Sequence, residues 1–242
     1  MENMIITLDT YDRLVCVKYK DIEKTIELLY LDHFKFQGGR IYSVIGEIGS
    51  GGWAMSYLLS GKIPIEEEKL FIDGKEKKRG DYVDIGWYIG EGAPNKRGFF
   101  NNGSVRKQIR MGLRQSKLDL LQEDIISKFD LTKERLDCRF SSLSWEHWRA
   151  SVAIGYAYGK RIFCFPFVNT CMLNNIITNS QLPRYLNELK NEGACIIIPT
   201  SHKQTLELLA DEHILLNNPR FHAKQFVDKY IARINKITAL EL

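Results

Sequence analysis

The sequence predicts an α/β fold with a mostly parallel sheet, an N-terminal antiparallel β region and an inserted helical segment. Residues 41–45 form a short apolar run, typical of a strand buried on both faces, and a glycine-rich loop follows them. Apolar runs at residues 161–167 and 194–198 alternate with helical patterns, which is the order expected of parallel strands. Between these parts, residues 94–150 have the pattern of several short helices.

The elements follow from local patterns in chain order. Residues 1–36 are rich in β-type runs, and Gln37-Gly38-Gly39 marks a turn before the first buried strand. A helix is predicted directly after the glycine loop, and a strand that turns at Asp73-Gly74 follows it. The other predicted helices cover residues 104–115, 118–129, 132–137, 144–158, 182–191, 204–210 and 221–234. The last predicted strand covers residues 214–216.

Bulk composition limits the function classes. The chain has 242 residues and a net charge of +4, which is too mild to argue for nucleic-acid binding alone. We expect one domain over residues 1–242, with residues 94–150 as a helical subdomain. The five cysteines have no metal-ligand spacing, and no apolar run reaches the roughly 20 residues that span a bilayer. We expect a cytoplasmic protein that a partner can hold at the inner face of a membrane.

The glycine loop carries the strongest functional signal. Its residues Gly46, Gly49 and Gly51 match the frame G-x-x-x-x-G-K-[ST], in which backbone N–H groups surround a phosphate. Gly52 stands where the phosphate-binding Lys belongs, and Trp53 stands where a hydroxyl should meet magnesium. The sequence therefore predicts a P-loop NTPase-like fold without the catalytic side chains. The candidate vestigial phosphate loop consists of Gly46, Gly49, Ser50, Gly51 and Gly52.

The chain resembles the nucleotide-binding domain of ABC transporters along nearly its whole length. The resemblance depends on several motif-like segments that occur in the family's order. After the Walker A-like loop, residues 85–90 resemble the strand before the Q-loop, with Gly90 and Glu91 near the place of its metal-contacting Gln. Residues 143–147 (LSWEH) lie where the LSGGQ signature belongs. Pro166 and Phe167 take the places of the Walker B Asp and the catalytic Glu. Residues 196–202 (IIIPTSH) resemble the strand that ends in the switch histidine, here His202.

The resemblance implies that the chemistry of the family is missing. Phosphoryl transfer needs positioning and charge neutralisation, and Gly52, Trp53, Pro166 and Phe167 can neither carry charge nor ligate a hard cation. One such electrostatic interaction is worth about 3 kcal/mol or more in the transition state. We therefore predict no catalytic residues, no bound metal, no required cofactor and at most weak ATP binding. In the signature, we expect the Glu146 carboxylate to repel a phosphate.

Alternatives remain open for the single residues. The loop glycines either make only a tight turn or keep an anion-binding nest at a helix N-terminus. His202 is either a hydrogen-bonded structural residue or a remnant phosphate sensor, and Ser144 is a remnant of the signature that we expect to act as a helix N-cap. A basic face on the helix over residues 104–115 is either a solvated surface or a patch for an acidic partner or anionic lipid headgroups. Its members are Arg106, Arg110, Arg114 and Lys117.

Three functions follow from these observations. The favoured one is a catalytically inactive ABC ATPase-like protein that acts as an interaction or regulatory subunit, with a membrane permease or another ABC ATPase subunit as partner, including as a dimer. The second is an ATP-binding transporter subunit with little or no hydrolysis, in which Tyr30 meets adenine. The third, weaker hypothesis is binding of nucleic acid or an acidic partner through the basic helix face.

Overall fold

The computed structural model describes residues 4–19, 22–78, 84–93, 103–179, 181–207 and 209–218. Within these residues the strands are β1 (Ile5–Thr10), β2 (Arg13–Tyr19), β3 (Ile22–Leu29), β4 (Asp32–Gln37), β5 (Arg40–Ile45), β6 (Lys69–Ile72), β7 (Lys75–Lys77), β8 (Gly86–Tyr88), β9 (Ile162–Cys164), β10 (Cys195–Thr200) and β11 (Glu212–Leu215). The helices are α1 (Gly52–Leu59), α2 (Val105–Ser116), α3 (Gln122–Lys128), α4 (His147–Ala157), α5 (Thr170–Asn174), α6 (Leu182–Asn191) and α7 (Lys203–Leu206).

A parallel sheet of five strands forms the centre of the fold, in the order β11-β5-β10-β9-β8. Strands β5, β8, β9 and β10 are apolar runs because helices cover both faces of such a sheet. Every residue of β10 is buried. The carboxyl ends of these strands meet at one edge, where β5 leads into the glycine loop and β10 leads to His202.

Antiparallel strands from the N-terminal part form a second layer. One sheet has the order β4-β1-β6-β7, and β2 pairs with β3 in a separate two-stranded sheet. The turn between β6 and β7 contains Asp73 and Gly74, both with positive φ, as a two-residue hairpin requires. The fold class predicted from the sequence, a mostly parallel sheet with an N-terminal antiparallel region, is confirmed.

The helices differ from the predictions mainly at their ends. Helix α2 begins after Ser104, whose side chain caps the helix by accepting a hydrogen bond from the Lys107 N–H. The helix predicted over residues 118–129 covers only Gln122–Lys128, and the one over 132–137 is a 3₁₀ turn at Lys133–Arg135. The predicted helix over residues 221–234 lies outside the described residues.

Several elements were not predicted, among them β4 and α5. Strand β4 has alternating burial at its centre, where Phe34 and Phe36 are buried. It was missed because it follows three other β-type runs closely and directly precedes a turn signal. Helix α5 is short, and its Asn169 N-cap accepts a hydrogen bond from the Met172 N–H. Among the described residues, no helix is both long and apolar enough to span a membrane. The subdomain boundary at residues 94–150 stays a prediction.

Candidate functional site: the glycine loop

The glycine loop connects β5 to α1 and closes tightly against its surroundings. Gly49 and Gly51 have φ values of 98° and 106°, a region that glycine adopts without a Cβ penalty. At Gly51 a side chain would also collide with β3, because an added Cβ would lie 2.6 Å from the Leu28 carbonyl oxygen. The Leu28 N–H in turn donates to the Gly49 carbonyl oxygen at 2.9 Å. Strand β3 therefore lies directly on the loop.

The backbone N–H groups of this loop point at a side chain of the protein itself. The Glu27 carboxylate on β3 accepts hydrogen bonds from the N–H groups of Gly49 at 2.5 Å, Gly51 at 2.9 Å and Trp53 at 3.1 Å. Both carboxylate oxygens are used, and the residue is fully buried. The loop is thus a nest of N–H donors at the N-terminus of α1, and an internal carboxylate lies in it.

Burial and hydrogen bonding act in opposite directions on this carboxyl group. Desolvation by burial raises the pKa of Glu27 to about 7, while the backbone N–H groups of Gly49, Gly51, Trp53 and Ala54 lower it. The desolvation is larger because the group is enclosed on all sides. Near neutral pH, Glu27 therefore carries its charge for only part of the time.

Aromatic side chains fill the space beside the loop. The buried Trp53 ring lies 6.5 Å from the Phe167 ring and 6.4 Å from the Tyr57 ring, centroid to centroid. Its Nε1 donates to the Tyr88 hydroxyl at 2.6 Å. The structure therefore brings Phe167, which follows β9, next to the loop, as the sequence predicts. The volume at this point is occupied by aromatic rings.

The residues predicted near the Q-loop are engaged elsewhere. The Gly90 N–H donates to the Ser151 hydroxyl at 2.9 Å. The Glu91 carboxylate pairs with the Lys62 ammonium at 2.5 Å, and Lys62 also lies over the Tyr88 ring. Burial lowers the pKa of Lys62, whereas Glu91 acts to raise it. The carboxylate that follows Gly90 is therefore bound by a cation of the chain itself.

His202 lies at the same sheet edge as the loop. The Gly46 N–H donates to the Thr200 carbonyl oxygen at 3.0 Å, which links the loop to the end of β10. The exposed His202 ring uses Nε2 in a 2.9 Å hydrogen bond with the Thr170 hydroxyl, and its backbone N–H donates to the Thr200 hydroxyl. These contacts fit the structural interpretation of His202.

A small cavity opens beside the start of the loop. It has a volume of about 270 Å³. Its lining includes Gly46, Ser50, Ser201, Asn217 and Asn218. Tyr30 and Ser50 line a separate narrow crevice beside it. Among the described residues, no group of three or more His, Cys, Asp or Glu side chains could hold a metal ion.

The signature-like segment is arranged differently from the expectation. Ser144 is not an N-cap: α4 begins at His147 with Glu146 at the capping position, and the exposed Ser144 hydroxyl lies 3.5 Å from Arg135. The Glu146 side chain does not face outward toward a phosphate. It is buried, and it accepts from the Thr132 N–H at 2.8 Å and from Arg149 at 3.3 Å. Among the described residues, Ser144 contacts Arg135 and His147, and it makes no contact with the glycine loop.

Trp145 covers this buried pair from outside. The Arg135 and Arg149 guanidinium groups lie 5.6 Å and 5.7 Å from its ring centroid, within the range of a cation–π contact. Arg135 also reaches the Glu146 carboxylate at 3.6 Å. Trp145, Glu146 and the two arginines thus form an aromatic and ionic cluster at the start of α4.

The chain was compared with protein-family models, with curated proteins and with solved structures. The sequence matches no protein-family model and no curated protein. Solved structures do match. The bacterial ABC transporter cassette MJ0796, described as dimeric, has a TM-score of 0.61 at 15% identity, over 86% of this chain and 94% of that one. CbiO1 from Clostridium perfringens, part of the transporter complex cbiONQ, has a TM-score of 0.60 at 15% identity, over 97% and 98%.

A further match is an ATP-binding subunit of an ABC transporter, with a TM-score of 0.59 at 16% identity, over 94% of this chain and 99% of that one. At such low identity the likeness concerns the fold. The chain therefore has the fold of an ABC transporter ATP-binding cassette, as the resemblance in the sequence predicts. The coverage extends over nearly all of each cassette.

Sequence reasoning missed the most informative residue of the site, Glu27. A single glutamate in a predicted strand has the pattern of a solvent-facing position between Ile26 and Leu28. Alternation in β3 places Glu27 on the same face as Leu29. Residues 26–29 are all buried, so both faces of β3 are covered there, and only the close approach of β3 to the loop shows that Glu27 faces the nest.

Proposed function

We propose that the chain is a catalytically inactive ABC ATPase-like protein that acts as an interaction or regulatory subunit. The contact between Trp53 and Phe167 is the observation that carries this proposal. In a working cassette this place needs a hydroxyl and carboxylates around magnesium, whereas here two buried aromatic rings meet. Carbon-lined surfaces cannot ligate a hard cation, and so the residues present do not fit Mg-ATP.

The other motif-like segments support the same proposal. The loop N–H groups are taken by Glu27, and Glu91 is paired with Lys62. The signature-like segment holds Trp145 and a buried Glu146 rather than glycines that a phosphate could approach. In a mixed dimer with an active cassette, this chain would supply neither half of a composite site. We therefore propose that the chain acts through protein–protein contacts of its surface and not through catalysis.

Hydrolysis and binding are tested on the purified chain. We expect no phosphate release from ATP with magnesium, and no heat of binding in calorimetry. The Phe167→Glu variant is the matched control, since a contaminating ATPase gives the same rate in both preparations. Metal-dependent phosphate release that Gly52 or His202 substitutions abolish would overturn the proposal. Binding tighter than about 1 mM, or about −4 kcal/mol, would favour the ATP-binding subunit instead.

The partner is proposed from the kind of fold and from the neighbours. CbiO1 is described as part of a transporter complex, and MJ0796 as a dimer. We propose that this chain likewise associates with a membrane permease or another ABC ATPase subunit, peripheral to a membrane. The test is affinity purification of the tagged chain from native membranes, followed by identification of co-purifying integral proteins. Recovery without any transporter component would contradict this assignment.

A further inference from the structure

We infer that the glycine loop is an anion site whose resident ligand is the Glu27 carboxylate of the same chain. This inference deepens the proposed function, because it names what occupies the nest in place of a nucleotide phosphate. The ligand is one carboxylate group, and it belongs to a side chain of β3. The consequence is that the loop is closed to external phosphate for as long as β3 stays paired with it.

The hydrogen-bond pattern is that of anion recognition. Donors from Gly49, Gly51 and Trp53 converge on one group, with Glu27 Oε1 taking the first and Oε2 the other two. The backbone dipoles of α1 also favour negative charge at this end of the helix. A turn that served only to join a strand to a helix would have no need to direct three N–H groups at one buried side chain.

The strand that carries Glu27 is itself fixed on the loop. The Leu28 N–H donates to the Gly49 carbonyl oxygen at 2.9 Å, and the Asn218 side chain donates to the Leu28 carbonyl oxygen at 3.1 Å. Gly51 permits this approach, since any side chain there would meet Leu28. An incoming phosphate would need to displace both the carboxylate and the strand. The chain thus supplies and covers its own ligand.

Chemical rescue tests the inference. In Glu27→Ala the nest loses its ligand, and we expect the urea midpoint of unfolding to fall below that of the wild type at pH 5.5, where most of the stabilisation by Glu27 remains and formate is ionised. Sodium formate, a carboxylate small enough for the vacated space, should raise this midpoint with saturation when compared with sodium chloride of equal ionic strength. Leu28→Ala is the matched control, because it weakens the same strand without removing an anion, and formate should not affect it.

The wild type supplies the second arm. Formate, inorganic phosphate and ATP should leave its urea midpoint where chloride leaves it, because Glu27 already fills the nest. A specific, saturable stabilisation of the wild type by phosphate would overturn the inference. Equal responses of Glu27→Ala and Leu28→Ala to formate would overturn it as well.

The Glu27→Gln variant keeps the test decisive if Glu27→Ala does not fold in any buffer. An amide in place of the carboxylate changes the acceptor while keeping its shape. We expect the amide proton resonances of Gly49, Gly51 and Trp53 to move together, while those of α6 stay in place. Unchanged resonances at the three positions would refute an anion role. ATP hydrolysis by the wild type would refute only the proposed function, whereas failed rescue would refute only this inference.

Discussion

Two buried glutamates, Glu27 in the loop region and Glu146 in the signature-like segment, are stabilised in different ways. Glu27 is held by backbone N–H groups at the start of α1, whereas Glu146 is held by the Arg135 and Arg149 side chains and one N–H group. The first arrangement depends on loop geometry and the second on charge neutralisation. Similar burial of the same residue type therefore does not imply the same response to mutation, pH or added ions.

The largest expected effect concerns the Glu146 cluster. Removing the buried Arg149 leaves the carboxylate short of a cation, and breaking such a buried pair costs about 3–5 kcal/mol. We therefore expect Arg149→Ala to lower the free energy of unfolding by this amount, measured by urea denaturation. Arg184→Ala is the control, because Arg184 pairs with Glu188 at the surface and should cost less than about 1 kcal/mol. Equal losses in the two variants would remove the distinction between buried and exposed pairs.

The pH dependence of stability tests the environment of Glu27. Its folded-state pKa of about 7 lies above the ordinary value of 4.5, so the folded chain binds more protons than the unfolded chain between these values. Stability from this group is fully present below pH 4.5 and is lost as the pH rises through 7, by about 3 kcal/mol. We expect urea titrations across this range to show a slope in the wild type that Glu27→Gln lacks. Identical slopes would contradict the burial of an ionisable group in the nest.

A pair of glycines tests how closely β3 covers the loop. Gly51 and Gly74 both have positive φ, and alanine at either position is strained by about 1–2 kcal/mol. At Gly51 the new Cβ would also meet the Leu28 carbonyl oxygen, whereas at Gly74 nothing lies within 4 Å. We expect Gly51→Ala to cost about 1–3 kcal/mol more than Gly74→Ala in thermal or urea unfolding. A difference near zero would mean that β3 can move off the loop easily.

The fold could be predicted from the sequence because its signals are local and repeated. Apolar runs define the buried strands β5, β9 and β10, and the glycines define the loop, independently of distant residues. The proximity of Phe167 to the loop was implied by the family resemblance, in which Phe167 takes the place of the catalytic Glu. The site was harder to predict from the sequence, because Glu27 and Glu146 are buried by contacts with other segments of the chain. No local pattern separates a glutamate that faces a nest from one that faces water.

The smallest expected effect concerns the basic face of α2. Arg110 and Arg114 are exposed, while Arg106 pairs with Asp137. Because such surface charges are already solvated, we expect Arg110→Ala together with Arg114→Ala to change the free energy of unfolding by no more than about 0.5 kcal/mol for each site. The same double variant tests the nucleic-acid hypothesis by measuring DNA affinity against salt. We expect no steep salt dependence in the wild type, and a steep one that the double variant loses would assign this helix face a binding role.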